Sequence, residues 1–264
     1  LLWQRGLMES FRERWDVLKF RFTGVVANAI VVLSVFFLLM GWKIYKEDSK
    51  SFPVLTDREE KRITEAADIK YKRFIRFTQP RIEKVKVNME IFPASLSFSA
   101  SGVYSIKNNS GKSIDTLLVN YALNVTTQYK LNRPFQIVSR DTVAHFDILR
   151  LPASLSPGDS MELIFEVCNI PNTLLHKNSI VEKDGTFITS AIFPGLGYRP
   201  AHSNFDPADS AALNNHYRSI DADRLDFEAI VSTADDQLAI TTGILKREWK
   251  QHGRNYFHYK SEGK

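Results

Sequence analysis

The sequence predicts a mainly β fold: an antiparallel β-sandwich or saddle-like double sheet, preceded by one transmembrane helix and a short stalk helix. Three observations carry this. The run Phe22–Trp42 holds no charged residue. Past Pro80, apolar and polar residues alternate with period two in successive short segments, the mark of half-buried strands. No helical stripe intervenes between those segments up to Ile192, so neighbouring strands return as hairpins rather than through crossover helices.

The first element follows from length. At about 1.5 Å per residue, a helix over Phe22–Trp42 spans a hydrocarbon core roughly 30 Å thick. Arg5, Arg12, Arg14, Lys19 and Arg21 precede it, and Lys43, Lys46 and Lys50 follow it. Cationic loops stay on the cytoplasmic side, so residues 1–21 read as a cytoplasmic juxtamembrane segment. The later domain then lies outside the cytoplasm, in the periplasm of a bacterium if the span sits in the inner membrane. Trp42 and Tyr45 are placed as an interfacial anchor. A signal peptide is the competing reading. Its apolar core is shorter and ends in small residues, whereas this run ends in Met40-Gly41-Trp42-Lys43. The chain begins at Leu1, so the span also reads as the last helix of a larger membrane domain.

Residues 43–79 are expected to form a linker and the stalk helix. Thr56 and Glu59 fit a capping box, Ile63, Ala66, Ala67 and Ile69 give a weak apolar stripe, and Pro80 stops the helix. The β domain, residues 80–264, opens with Val85, Val87, Met89 and Ile91 alternating with lysines, Asn88 and Glu90. Phe98–Lys107 is a second strand and Asn108-Asn109-Ser110-Gly111 a turn. Thr116–Tyr129 reads as one long strand. Gln136–Ser139 and Ala144–Leu151 follow, then a turn at Leu155–Asp159. Ser160–Asn169 points Met161, Leu163, Phe165 and Val167 inward. A hairpin is expected in Val181–Ile192 about Lys183-Asp184-Gly185. Residues 194–225 are broken by prolines and glycines, with a short helix over Ala208–Arg218. Phe227–Ser232, Ala239–Leu245 and Asn255–Tyr259 complete the strands.

Composition excludes several function classes. The net charge of +5 is mild, and no Arg/Lys stripe with interleaved aromatics marks a nucleic-acid surface. The one cysteine, Cys168, has no partner for an internal disulfide. The histidines His145, His176, His202, His216, His252 and His258 show none of the spacings that bring two imidazoles to one zinc ion. Asp221, Asp223, Asp226 and Glu228 lack the glycine and ligand spacing of a calcium loop and read as a loop entering a strand. Asp235-Asp236 reads as a turn. Ser154 and Ser232-Thr233 have no adjacent base, and G-x-S-x-G is absent. Gly195-Leu196-Gly197 reads as a tight turn rather than a nucleotide loop. Asn108-x-Ser110 and Asn124-x-Thr126 match glycosylation acceptors. No complete catalytic constellation and no metal site emerges, and no substrate-binding residue can be named.

Three phrases nevertheless resemble one family. Residues 143–167 (VAHFDILRLPASLSPGDSMELIFEV), 185–200 (GTFITSAIFPGLGYRP) and 226–259 resemble segments of the N-terminal domain of the aminopeptidase N family of zinc metallopeptidases. The order of further elements resembles bacterial, Bacteroidetes-type proteins in which that region is fused to an ABC transporter permease. These elements are Leu2–Gly6, the apolar span, Ala67–Lys72, Gln79-Pro80, Ile91-Phe92-Pro93 and Gly102-x-Tyr104. The resemblance implies a cleft-forming, substrate-side domain that precedes the peptidase domain. The family's H-E-x-x-H zinc motif and Gly-x-Met-Glu-Asn segment do not occur in these 264 residues. Zinc and catalysis are therefore expected downstream, and the chain as given is not expected to catalyse. Expected partners are the lipid bilayer, the downstream peptidase domain and peptides with a free amino terminus, but no nucleic acid. The alternatives are a single-pass β-sandwich binding or adhesion module, and an accessory transporter domain whose peptidase part has decayed.

Overall fold

The computed structural model describes residues 19, 23–48, 57–75, 77–123, 125–169, 179–198 and 225–262. It divides into two compact units, Leu1–Pro53 and Val54–Lys264. In the first, helix α1 runs Gly24–Asp48. Its most apolar stretch has a mean hydropathy of 2.4 and none of it is buried. By length and composition this helix can cross a membrane, and its place near the N-terminus also suits a signal sequence. Near its end the Lys46 ammonium lies 5.2 Å from the centre of the Trp42 ring.

The second unit opens with α2, Asp57–Tyr71, and a 3₁₀ turn over Lys72–Phe74. Thr56 of the expected capping box lies outside the described residues. Eleven strands follow: β1 Arg81–Phe92, β2 Ser97–Lys107, β3 Ile114–Asn120, β4 Thr126–Leu131, β5 Gln136–Asp141, β6 Phe146–Leu155, β7 Ser160–Asn169, β8 Gly195–Leu196, β9 Asp226–Ala234, β10 Ile244–Gln251 and β11 Arg254–Lys260. They form a seven-stranded sheet in the order β10-β11-β9-β1-β2-β7-β4 and a four-stranded sheet in the order β5-β6-β3-β8. The two-sheet, mainly β architecture is the one the alternation predicts. Every pairing is antiparallel except β1 with β9, which is parallel.

Period two decides which side chains meet. Val87 and Met89 of β1, Phe98, Ala100, Tyr104 and Ile106 of β2, and Met161, Leu163, Phe165 and Val167 of β7 are buried between the sheets. Leu117, Val119, Leu149, Leu151 and Leu155 of the small sheet meet them. The outer face of the small sheet is covered as well. Leu118, Phe146 and Ile148 pack under Ala67, Tyr71 and Phe74 of the helical segment and under Tyr198. The Lys70 ammonium reaches the Asp141 carboxylate at 2.7 Å, the Tyr71 hydroxyl donates to the same group at 2.6 Å, and the Tyr198 hydroxyl donates to Asp68. Thus α2 packs on the domain as an amphipathic helix should.

Several expectations are corrected. The single strand over Thr116–Tyr129 is two strands in different sheets, β3 and β4. Leu117, Leu118 and Val119 are all fully buried, because β3 has the core on one face and α2 on the other. Such a strand reads as a continuous apolar run, not as an alternation. The chain then crosses between sheets, and the Tyr121 amide donates to the His145 carbonyl on the way. Ala144 and His145 belong to the turn before β6, not to the strand. The hairpin expected in Val181–Ile192 is absent. The Ser179 hydroxyl bonds the Val181 amide and carbonyl, and Thr186 bonds both backbone groups of Glu182. These local bonds replace a ladder.

Gly195-Leu196 is not a tight turn but the strand β8, paired with Val119 and Asn120. Gly197 follows at φ +84°, a left-handed conformation that glycine accepts without strain. Its amide donates to Leu118 O, and the Asn120 side-chain amide donates to Gly197 O at 2.7 Å. Beyond the reach of β8, Gln79 continues the ladder: its side chain accepts from the Leu118 amide at 2.8 Å and donates to Thr116 O at 3.0 Å. The strand placed over Ala239–Leu245 begins only at Ile244. Lys246, Arg247, Glu248 and Lys250 of β10 give no apolar stripe, because β10 is an exposed edge strand. Charged edges resist pairing with other chains. The helix expected over Ala208–Arg218 lies outside the described residues.

Candidate functional site

The structure scatters the residues that carry reactive chemistry. His145 sits in the turn before β6 at φ +49°, with Nδ1 3.1 Å from Ala122 O and its ring 4.9 Å from that of Tyr121. Burial lowers its pKa. His252 lies in the turn between β10 and β11. His258 Nε2 meets Glu228 at 2.9 Å, and this bond, more than any other contact, lowers the Glu228 pKa. His176, His202 and His216 lie outside the described residues, as do Asp221 and Asp223. Asp226 and Glu228 stand on β9 opposite Lys84 and Lys86 of β1, with ion-pair distances of 3.7 and 3.8 Å. Asp235-Asp236 form the expected turn. The Ser232 hydroxyl is buried and accepts from Arg254 at 2.8 Å, while Thr233 bonds Gln237. Ser154 lies on β6, exposed. Among the described residues, no three His, Cys, Asp or Glu side chains gather to hold a metal ion.

The acceptor asparagine Asn108 is fully buried. Its Nδ2 donates to Lys112 O at 2.7 Å and Leu155 O at 2.8 Å, and its Oδ1 accepts from Ser110. The amide nitrogen a glycan would need is engaged inside the fold. Asn124 lies outside the described residues. Asn108→Ala, which strips both carbonyls of a donor, is expected to cost about 2 kcal/mol in urea unfolding. The unsubstituted protein is expected to carry no glycan at Asn108 when made in a glycosylating host, as peptide mass mapping checks.

Two polar sites remain. The first is closed. Asp147, on the inner face of β6, is fully buried. Its carboxylate accepts from the Tyr129 hydroxyl of the opposite sheet and from Arg140 of β5, at 3.0 Å to Nε and 2.9 Å to the terminal nitrogen. Burial, and then the bond to Asp147, raises the Tyr129 pKa. The bond to Asp147 raises that of Arg140. Both carboxylate oxygens are met by protein donors, so the group acts as a clamp between sheets. Beside it, Asp141 accepts from the amides of Ala144 and Val143 as well as from Lys70 and Tyr71. The Ala144 amide above all, then the Lys70 ammonium, lower its pKa. A depressed carboxyl stabilises the fold fully above its unfolded pKa of about 3.9, and the contribution fades as pH falls toward the folded value. The stability gap between the wild-type chain and Asp141→Asn is thus expected to be full at pH 6 and to narrow below about pH 4, as urea midpoints across that range would record.

The second site is open. The outer face of the seven-stranded sheet, turned away from the core, forms a depression of about 550 Å³. Register places its side chains in two rows. One runs Trp249–Tyr256–Ser232–Glu90–Ser99–Cys168–Thr126, and the other includes Ile230–Asn88–Ser101–Glu166–Gln128. Trp249 and Tyr256 stack at 5.2 Å with their planes 13° apart, and the Arg247 guanidinium lies 5.2 Å from the Trp249 ring centre. In sequence these outward residues are only the polar half of each alternation. Their convergence depends on non-local pairings, above all the parallel one between β1 and β9, which no local pattern discloses. The one sequence trace is the run of serines at alternate positions of β2.

This fold and depression define a two-sheet β-sandwich module with an open depression on the outer face of its large sheet. No protein-family model matches the chain, and no curated protein does. Solved structures similar to it include an M1 zinc metallopeptidase from Deinococcus radiodurans, at 13% identity and a TM-score of 0.44, over 69% of this chain and 39% of that one. A mutant of that peptidase bound to a Tyr-Ser-Ala substrate is similar at 12% identity and a TM-score of 0.43, with the same shares covered. A two-domain M1 zinc metallopeptidase mutant bound to L-tryptophan is similar at 12% identity and a TM-score of 0.44. The chain thus spans about two fifths of the length of these peptidases.

Proposed function

We propose that this chain is the non-catalytic, substrate-side module of a membrane-anchored zinc aminopeptidase-like protein, fused on its N-terminal side to a transporter permease. The observation that carries the reading is the order of the three sequence phrases resembling the aminopeptidase N family, each of which covers whole elements of one β unit. Residues 143–167 span β6, its turn and most of β7; 185–200 contain β8; 226–259 hold β9, β10 and nearly all of β11. The zinc and its base would belong to a following domain, where a bound metal would supply Lewis-acid chemistry toward the peptide carbonyl. Helix α1 would anchor the module, with the β unit in the periplasm and peptides admitted to the peptidase by their free amino termini.

The test compares two polypeptides. The 264-residue chain, folded by circular dichroism and supplied with zinc, is expected to release no amino-terminal residue from short peptides. The native polypeptide that contains it is expected to do so, and to stop when a chelator removes the metal. Zinc-dependent cleavage by the 264-residue chain alone overturns the assignment of a non-catalytic role.

A further inference from the structure

The segment that opens the β unit carries surface chemistry that its packing does not use. Between Asp68 and Glu83 the sequence places Lys70, Lys72, Arg73, Arg76 and Arg81 and no acid. That surplus equals the net charge of +5 of the whole chain, so the remaining residues balance to zero. One side of the segment is fixed. Tyr71 is buried and Phe74 half-buried with Leu118 and Phe146 of the small sheet, and Lys70 and Tyr71 both hold Asp141. The other side faces water. Ile69 is 83% exposed, and Ile75 and Phe77 are exposed as well. Lys72 and Arg73 follow Ile69 by three and four residues, on the same helical face, and both are exposed. No carboxylate of a described residue pairs with either. The Arg76 side chain lies outside the described residues.

Exposed apolar side chains beside cations narrow the partner. A small anion in water offers nothing to Ile69, Ile75 and Phe77. A nucleic acid needs aromatic faces on which its bases stack, and here Tyr71 and Phe74 pack on the small sheet while Phe77 meets Phe74 edge-on at 5.6 Å. A lipid surface suits both kinds of side chain. Apolar tips enter the boundary between headgroups and acyl chains, and Lys and Arg reach the phosphates with their stems along the apolar layer. The sequence adds a tether. Helix α1, which by length and composition can cross a membrane, ends at Asp48, and α2 begins at Asp57. The eight residues between them reach roughly 30 Å when fully extended.

We propose that the face made by Ile69, Lys72, Arg73, Ile75 and Phe77 lies on the anionic headgroups of a phospholipid surface. Lys72 and Arg73 take the lipid phosphates, and the three apolar side chains enter beneath them. The inference rests on the reading of α1 as a membrane anchor.

Spin labelling of the full chain in lipid nanodiscs tests this. In a Cys168→Ser background, single nitroxide labels are placed at Ile69→Cys, at Leu33→Cys in α1, and at Phe187→Cys as an exposed reference. Collision with oxygen against a water-soluble nickel chelate reports whether each label sits in lipid or in water. In discs of mixed phosphatidylglycerol and phosphatidylcholine, the labels at positions 33 and 69 are expected in lipid and the label at 187 in water. Raised salt is expected to release position 69, and so are discs of phosphatidylcholine alone. Lys72→Gln/Arg73→Gln is expected to weaken its contact about 25-fold, at about fivefold per cation, with circular dichroism and an unchanged urea midpoint showing that the variant is folded. A label at 69 that stays in water in anionic discs overturns the proposal. So does one that the double variant leaves in lipid, one that position 187 matches, or one that an oligonucleotide withdraws at equal phosphate concentration. If position 33 is in lipid and 69 is not, this inference alone fails. If position 33 is itself in water, the membrane anchor fails with it.

Discussion

Replacing Arg140 by methionine is expected to destabilise the β unit by about 3 kcal/mol, although the Arg140 side chain is half exposed. The cost arises at its partner. Asp147 has no exposed surface, and without the guanidinium its carboxylate keeps only neutral donors, the hydroxyls of Tyr129 and Tyr121. A charge left buried without compensation is what makes breaking such pairs expensive, about 3–5 kcal/mol, and the lower end applies because the lost partner is itself solvated. The reverse substitution is milder. Asp147→Asn removes the buried charge, retains an acceptor for Tyr129, and leaves an arginine free to turn toward water, at about 1 kcal/mol. Urea unfolding of the two variants checks the asymmetry; equal losses would mean that Asp147 is not the buried member of the pair.

The second large effect lies at the centre of the sandwich. Phe165 is 1% exposed. It packs against Tyr104 at 4.6 Å and Phe193 at 5.5 Å between ring centres, and faces Gly102 across the β2–β7 ladder. Phe165→Ala removes a whole ring from a closed site and is expected to cost about 4 kcal/mol. The glycine is part of the same fit. A Cβ at Gly102 would stand 2.3 Å from the Phe165 ring and 2.9 Å from Lys86 O, so Gly102→Ala overpacks the site by about 2 kcal/mol. Because both strain terms share one ring, Gly102→Ala combined with Phe165→Leu should lose less than the sum of the single changes. Strict additivity would place the ring elsewhere.

These sites show what the sequence discloses and what it withholds. Met161, Leu163, Phe165 and Val167 were legible as an inward row, because β7 has one buried face and its alternation is regular. So were β1, β2, β9 and β11, each of which buries an alternating row. β3 was misread because both of its faces are covered, and β10 because neither needs to be. The three-residue phrase at Gly195 could not announce a strand, since its pairing with Val119 and Asn120 is set by distant residues. Asp147 gave no signal: a single aspartate inside Phe146–Leu151 looks like an outward residue until Arg140 and Tyr129 arrive from other strands. The depression is the extreme case. Glu90 and Glu166 are far apart in the chain, and only the register of β1, β2 and β7 brings them to one floor.

The central claim is that this module belongs to a larger membrane polypeptide that carries a zinc peptidase domain beyond it. Peptide mapping of the native polypeptide, extracted from its membrane, tests that most directly. The account predicts peptides continuing past Lys264 and including an H-E-x-x-H segment. A native polypeptide whose peptides and mass are confined to these 264 residues would contradict it and leave a tethered binding module.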